Sequence, residues 1–269
     1  MQGSNSNSIL DFTSPVIEGH FVVESLDANN KVIDRFEDHN MIMEGARKSM
    51  AEIFADLSTS VGAHKIVLGT HGCKDNSIYL AKDSEDGFVK ERTKIFSEVS
   101  DLVYSEGQIF ETLMKGDIVK VSLDGKTISY FRYNLNSEDV VLNFSQMQTD
   151  KASWTLLTTA PYTYTINFNL PGKDSASKDN CNAEKDRTSP SFVDIARVQQ
   201  QDTSVIFTFY VDQSNGNKQY SKGEQFDTAT TLFNEAGLYV NGRLFAMKTF
   251  TSRIKNASLK LKIVWTITF

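Results

Sequence analysis

Residues 258–269, with the sequence SLKLKIVWTITF, decide the fold class of this chain. Large apolar side chains recur at every second position, and most positions between them carry lysine or threonine. This period of two residues is typical of a β-strand with one buried face. We expect the strand to be permanently paired, centrally in its own domain; pairing with a strand from another subunit is the second hypothesis. The apolar face consists of Leu259, Leu261, Ile263, Trp265, Ile267 and Phe269.

Further strands and their turns are predicted along the rest of the chain. Two hairpins are expected at Asp124-Gly125 and Asn241-Gly242, because both central residues of a tight type I′ turn need positive φ angles. Another hairpin is expected around residues 27–30, and YTYTINFNL (162–170) predicts a half-buried strand. In total these patterns predict about eight to ten strands.

One substantial helix is predicted over residues 40–57, NMIMEGARKSMAEIFADL. Asn40 is a suitable N-cap, and the apolar residues after it recur at helical spacing. Inside a helix Gly45 costs about 1 kcal/mol relative to alanine, so we expect another backbone to approach it closely. A short buried strand, HKIVLGTHG (64–72), follows, whereas residues 90–104 are ambiguous between helix and strand. The apolar stripe of the helix consists of Ile42, Met43, Ala46, Met50, Ile53, Phe54 and Leu57.

Together these elements predict a mainly β (α+β) fold, an antiparallel β-sandwich or barrel-like domain with one N-terminal helix. Residues 1–14 are rich in Ser, Asn and Gln, and we expect them to form a flexible N-terminal arm. Residues 15–269 then form a single mainly β structural domain. Within this domain, residues 171–191 contain no large apolar side chain, which predicts a polar loop.

The charge of the chain is unevenly distributed. The formal net charge is −6, which argues against nucleic acid as the main partner because backbone binding needs a basic face. Residues 236–269 hold six Lys or Arg and no acidic residue, so the rest of the chain carries about −12. This basic end predicts an interface with copies of the chain or with an acidic neighbour; a solvated strand face is the alternative. The candidate interface residues are Arg253, Lys255, Lys260 and Lys262.

The cysteines and the N-terminal residues bear on the compartment. Cys73 and Cys181 are far apart and stand in no ligand-spaced group, so we expect a reducing compartment and no disulfide framework. The first twenty residues contain no basic region before an apolar one, and all apolar runs are short. We therefore expect synthesis in a cytoplasm, without a secretory signal and without membrane insertion.

Few residues suggest chemistry, and we predict no catalytic, cofactor or metal site. His64, His71 and Cys73 lie within ten residues and are the best candidates for metal ligands, although a tight turn explains the small residues around them more simply. Carboxylates such as Asp38 and Glu235 show no spacing that singles out an acid and base pair. No nucleophile elbow and no phosphate-binding loop is present in the sequence.

The segment NEAGLYVNGRLFAMKTFTSRIKNASLKLKIVWTITF (234–269) resembles the C-terminal segment of virion structural proteins from tailed bacteriophages. A second match lies near the N-terminus, where Asn40, Ile42, Gly45 and Arg47 are similar to a helix start of the same proteins and HKIVLGTHG to the strand and turn after it. One residue separates Gly45 from Arg47, whereas the family has Gly-Arg. The matches cover about a third of the chain, and residues 72–200 match nothing. The C-terminal matches are Glu235, Gly237, Leu238, Asn241, Gly242, Leu244, Phe245, Lys248, Phe250, Lys255 and Trp265.

The resemblance implies a non-enzymatic component of the tail, baseplate, collar or neck of a virion. It further implies several symmetric copies, other virion proteins as partners, no cofactor, and neither direct nucleic-acid binding nor a membrane partner. Two alternatives stand beside this expectation. The first is a carbohydrate-binding host-recognition or capsid-decoration protein that stacks Trp154, Tyr162 and Tyr164 on sugar, although core or cross-strand pairing accounts for these residues more simply. The second is a hydrolase that acts on cell-wall or capsule sugar.

Overall fold

The computed structural model describes residues 17–54, 64–74, 82, 87–136, 138–168, 195–213 and 230–269. The predicted arm at 1–14 and the predicted polar loop at 171–191 lie outside the described residues, as does Cys181. The described part of the chain contains fifteen strands and two helices. They are β1 (Glu18–Leu26), β2 (Val32–His39), β3 (Met41–Ile42), α1 (Glu44–Phe54), β4 (His64–Gly69), β5 (Ile109–Leu113), β6 (Ile118–Ser122), β7 (Ile128–Tyr133), β8 (Glu138–Val141), α2 (Phe144–Thr149), β9 (Trp154–Leu156), β10 (Thr163–Phe168), β11 (Ile195–Gln201), β12 (Ser204–Val211), β13 (Thr231–Val240), β14 (Arg243–Lys255) and β15 (Lys260–Thr268).

Two antiparallel five-stranded sheets pack face to face, which confirms the predicted mainly β sandwich. The first sheet has the strand order β11-β12-β15-β1-β2 and the second β10-β4-β13-β14-β3. Alternating apolar side chains from both sheets meet in one buried core, rich in phenylalanine. In this core the Trp265 ring lies edge-on to Phe21 at 4.9 Å, and Phe21 stacks on Phe250 at 5.4 Å. The aromatic residues thus join the two sheets.

Strand β15 lies at the centre of the first sheet, as the sequence pattern predicts. It pairs with β12 on one side and with β1 on the other, so that Trp265 faces Phe207 and Phe21 across the two ladders. Its inward side chains are at most 1% exposed. Each fully buried large side chain contributes about 2 kcal/mol of hydrophobic free energy. The pairing on both sides comes from this chain itself, so the strand from another subunit is not needed here.

The N-terminal helix begins later than predicted, at Glu44 and not after Asn40, and its predicted end at residues 55–57 lies outside the described residues. Residues 41–42 form β3 instead, in which Ile42 pairs with Ala246 of β14, and the N–H of Asn40 donates to the carbonyl of Gly19. The prediction of Asn40 as N-cap is therefore wrong, since strand pairing competes for this segment. The expectation for Gly45 is confirmed, because a Cβ at this position would collide with the carbonyl oxygen of Leu244.

Of the two predicted tight turns, one is confirmed and one is wrong. Asn241 and Gly242 have φ angles of 51° and 73° between the paired residues Val240 and Arg243, which fits a two-residue type I′ turn. The β6–β7 hairpin instead closes at Ser122 and Ile128 with a five-residue loop, residues 123–127, in which only Gly125 has positive φ. The reason is the Asp124 carboxylate, which accepts hydrogen bonds from the N–H groups of Lys126 and Thr127.

Residues 101–157, here called the insertion, form a smaller unit with β5 to β9 and α2. It has its own buried cluster, in which Tyr133 and Trp154 pack at 5.1 Å. Residues 90–104, which were ambiguous between helix and strand, form neither, apart from a single bridge of Tyr104 to Val121. Residues 87–98, here called the covering loop, lie over the outer face of the second sheet with Ile95 and Phe96.

The helices of the described chain, eleven and six residues long, are too short to cross a bilayer.

Candidate functional site

The motif residue Glu235 lies fully buried on β13, on the face opposite to the sandwich core. Its carboxylate is enclosed by the covering loop. The N–H of Phe96 donates to Oε2 at 2.8 Å, the N–H of Ser97 donates to Oε1 at 2.9 Å, and the Ser97 hydroxyl also donates to Oε1. The N–H of His71 donates to Oε1 as well, at 3.3 Å. One carboxylate thus holds two segments, the covering loop and the turn after β4, against the second sheet.

The turn after β4 is fixed by Asn234, the neighbour of Glu235. The N–H of Gly72 donates to Asn234 Oδ1 at 2.7 Å, and Asn234 Nδ2 donates to the carbonyl of Thr70 at 3.1 Å. A Cβ at Gly72 would lie only 2.5 Å from Glu235 Cβ, so no larger residue fits while the turn stays this close to β13. The second glycine of the GTHG sequence, Gly72, is therefore explained by the close approach of the turn to the backbone of β13.

The electrostatics of Glu235 are those of a buried structural carboxylate. Burial raises the pKa of Glu235, while hydrogen bonds from Ser97 and Phe96 and the charge of Lys82 act in the opposite direction. Lys82 is itself buried, and its ammonium lies 3.9 Å from the centre of the Phe96 ring. Because the carboxylate has no exposed surface and several protein donors, it positions segments and does not meet a solvent-borne ligand.

A second buried charge, Arg92, joins the covering loop to the insertion. Arg92 is 2% exposed, and its Nη2 donates to Asp117 Oδ1 at 2.6 Å. Its Nε donates to the carbonyl of Lys94 and its Nη1 to the carbonyls of Lys115 and Gly87, so the planar fork is engaged on all sides. A cleft of about 710 Å³ opens beside this ion pair, between the covering loop and the insertion.

Replacing Arg92 by lysine is expected to destabilise the protein by about 1–3 kcal/mol, because lysine keeps the charge but loses the fork that satisfies the carbonyls. Urea unfolding followed by circular dichroism measures this change. Arg35→Lys is the matched control, since Arg35 is half-exposed, its partner Glu37 lies at the surface, and its second partner, Glu24, also pairs with Lys262. The control should leave the unfolding midpoint nearly unchanged. Equal midpoint shifts for the two variants would contradict the role assigned to Arg92.

The four candidate interface residues do not form a free basic surface. Lys255 is fully buried, and its ammonium donates to the carbonyls of Gln213 and Asn256, so the prediction is wrong for this residue. Arg253 lies 3.1 Å from Asp34 of β2, an ion pair that joins the two sheets at their edge. The sequence could not show this, because the acidic partners come from distant segments.

The remaining two candidate residues also have partners within the chain. Lys262 forms an ion pair with Glu24 at 2.8 Å across β15 and β1, and Lys260 lies 3.9 Å from Asp212. The Lys260 side chain is 25% exposed and the Lys262 side chain 30%. Their charge is thus largely matched internally, and a contribution to an interface with another chain stays a prediction.

The candidate metal ligands do not converge. His64 is the first residue of β4, whereas His71 lies in the turn after the strand, and β4 alone spans about 17 Å at 3.3 Å per residue. The His64 ring accepts the N–H of Asn241 at 3.3 Å, and the Cys73 thiol donates to the carbonyl of Phe250 at 3.6 Å. Within the described ranges no group of three His, Cys, Asp or Glu side chains is arranged to hold a metal ion.

The aromatic candidates for sugar binding lie mainly inside the protein. Trp154 is 4% exposed and belongs to the buried cluster of the insertion. Tyr162 and Tyr164 are half-buried and pack against the sandwich core, and burial raises the pKa of Tyr162. Trp154 therefore offers no face to a sugar ring, and the simpler explanation, core contact, holds for it.

Sequence reasoning missed the residues that join the covering loop to the rest, namely Arg92, Ser97 and Asp117. They lie in segments without helical or strand periodicity, where local patterns carry no information on partners. Two glycines with positive φ, Gly87 and Gly116, lie in turns near these residues. In the sequence these glycines indicate turns, but they do not indicate the partners of Arg92, Ser97 and Asp117.

Comparisons with protein-family models, with curated proteins and with solved structures find no match to this chain. The likeness to virion proteins therefore rests on the residues quoted from the sequence.

Proposed function

We propose that this chain is a non-enzymatic structural or assembly component of a tailed-phage virion, in its tail, baseplate, collar or neck, and acts through protein–protein interfaces in a symmetric oligomer. The observation that carries the proposal is spatial. The two stretches that resemble virion proteins are far apart in sequence, yet β3 and β4 of the first stretch and β13 and β14 of the second lie in one sheet, with β15 in the facing sheet. A unit of this kind is what a shared structural domain requires.

The contacts between the two stretches are direct. Ile42 of β3 pairs with Ala246 of β14, and Gly45 of α1 fits against the carbonyl of Leu244. Strand β4 pairs with β13, and the turn after β4 is held by Asn234 and Glu235. The resembling residues therefore support one another, which favours a common scaffold over a chance match of separate segments.

The resembling residues also have structural roles in the fold. Trp265 and Phe250 fill the core, Asn241 and Gly242 close a tight turn, and Lys255 is buried with its ammonium bonded to carbonyls. Residues with such duties fix a backbone and leave binding to the surface, as expected of a protein whose partners are other proteins.

The proposal predicts that the chain is a stoichiometric constituent of purified virus particles and a discrete symmetric oligomer when isolated. Mass spectrometry of particles purified on a density gradient measures the first property, and native mass spectrometry of the isolated full chain measures the second. Host proteins that co-purify by chance provide the control, since they are removed by a second gradient at high salt. Absence from such particles, or a monomer that hydrolyses glycans, would overturn the proposal.

A further inference from the structure

We propose that the cleft between the covering loop and the insertion is a docking site for residues 9–12, Ile-Leu-Asp-Phe, of a second copy of this chain. The inference rests on the proposed function, because it supplies the contact between copies that a symmetric oligomer needs. It rests separately on the shape and charge of the cleft.

The floor of the cleft is apolar and partly aromatic. Tyr104 and Phe110 meet edge to face with ring centres 4.3 Å apart, and both rings are half-buried. Met114 adds a third half-buried apolar side chain. A volume of about 710 Å³ is enough to enclose several large side chains. The cleft is thus suited to a short peptide segment with adjacent large apolar residues.

The charged side chains that line the cleft are the basic Arg92, Lys94 and Lys115 and the acidic Glu91 and Asp117, which leaves one positive charge in excess. Lys115 is half-buried and forms no ion pair with any described residue. Lys94 lies 3.9 Å from Asp117, whose other oxygen already binds Arg92 at 2.6 Å. The backbone of Lys115 is fixed, because its carbonyl accepts from Arg92 at 3.0 Å. A lysine at a fixed backbone position beside an apolar floor favours a carboxylate flanked by apolar residues.

The N-terminal residues of the chain offer that combination. Residues 9–12 contain three large apolar side chains around Asp11, the sole charged side chain among residues 1–16. The neighbouring residues are mostly Ser, Asn and Thr, so the apolar side chains and the carboxylate are concentrated in this one segment. The match concerns both hydrophobicity and the sign of the charge.

Geometry favours a second copy over the same chain. Ile17, the first described residue, packs against the core between the sheets, and β1 belongs to the first sheet. The covering loop lies on the outer face of the second sheet, two layers away, which corresponds to about 20 Å at about 10 Å per layer. The five residue steps from Phe12 to Ile17 span at most about 18 Å when fully extended, which is shorter than this separation. The segment of a neighbouring copy has no such limit.

The test is a titration of a fluorescent synthetic peptide of residues 1–16 with the full-length chain, read by anisotropy. We expect saturable binding that Lys115→Glu weakens at least about tenfold, and that a peptide with Asp11→Lys restores on the Lys115→Glu protein. Lys126→Glu is the matched control, because Lys126 lies in the exposed 123–127 loop of the same insertion. This control should change the affinity by less than about twofold.

The outcomes separate the alternatives. Absence of saturable binding, or equal affinity for wild type and Lys115→Glu, would overturn the docking site. In the full chain, Phe12→Ser should lower the oligomeric mass; an unchanged mass together with Lys115-dependent peptide binding would overturn the second copy as the occupant. If the chain is found in particles as an oligomer while the peptide fails to bind, only this inference falls. If the peptide binds but the chain is absent from particles, the proposed function falls and the docking site stands.

Discussion

Replacing Glu235 by alanine is expected to lower the free energy of unfolding by about 3–6 kcal/mol. The variant leaves the buried N–H groups of Phe96 and Ser97 and the Ser97 hydroxyl without their acceptor, and each buried unsatisfied group costs about 1–3 kcal/mol. Loss of this size is a large fraction of the roughly 5–15 kcal/mol that holds a typical domain folded. Urea unfolding monitored by circular dichroism gives the change in free energy.

Glu235→Gln is the matched control, because the amide keeps the size of the side chain and one acceptor oxygen. It should cost less than the alanine variant, and hydrogen exchange should show faster exchange at the N–H groups of Phe96 and Ser97 in both variants. An alanine variant with wild-type stability and unchanged exchange at these two groups would show that the carboxylate does not hold the covering loop.

The same carboxylate predicts a pH dependence. Burial raises the pKa of Glu235 above its ordinary value of 4.5. A raised folded-state pKa means that the contribution of the group is fully present below its unfolded-state pKa and is lost as the pH rises through its folded-state pKa. The stability of the wild type relative to Glu235→Gln should therefore be greatest below pH 4.5 and decline as the pH rises above this value. An advantage that grows with pH across this range would contradict the assignment.

Trp265→Ala is expected to destabilise the protein by about 3–5 kcal/mol, the cost of a large cavity in a core. Trp265 is fully buried between the two sheets, in contact with Phe21, at the centre of the first sheet. Thermal and urea unfolding measure the effect, with about 1 kcal/mol as the limit below which Trp265 would not be a core residue. The expected loss is large because Trp265, on the central strand β15, faces Phe21 of β1 and Phe207 of β12.

Trp265→Phe provides the matched control for the indole. The Nε1 group of Trp265 is buried and has no hydrogen-bond partner among the described residues, so phenylalanine removes an unsatisfied donor along with part of the ring. Its cost should be clearly smaller than that of alanine, since the smaller cavity is partly offset by the loss of that donor. Equal costs for the two variants would mean that the indole nitrogen is satisfied in the folded protein.

The local pattern of the sequence was sufficient for individual strands but not for helix limits or charge partners. The alternation in residues 260–268 predicted the buried face of β15, and Asn241-Gly242 predicted the type of the turn between β13 and β14. Both features depend on neighbouring residues alone. The start of α1 was wrong, since Met41 and Ile42 pair with β14, some two hundred residues away. Tertiary pairing overrode the helical spacing there.

The sequence by itself determined the mainly β class and the period-two faces, because apolar spacing acts over a few residues. The cost of glycine inside a helix also indicated a close approach at Gly45, but only the fold showed that the neighbour is Leu244. Only the tertiary structure decided that Lys255 is buried, that Arg253 meets Asp34, and that Arg92 joins the covering loop to Asp117. The partner of a buried charge is chosen by which distant segments the fold brings together. Such contacts leave no periodic trace in the sequence, since no local rule links residues so far apart.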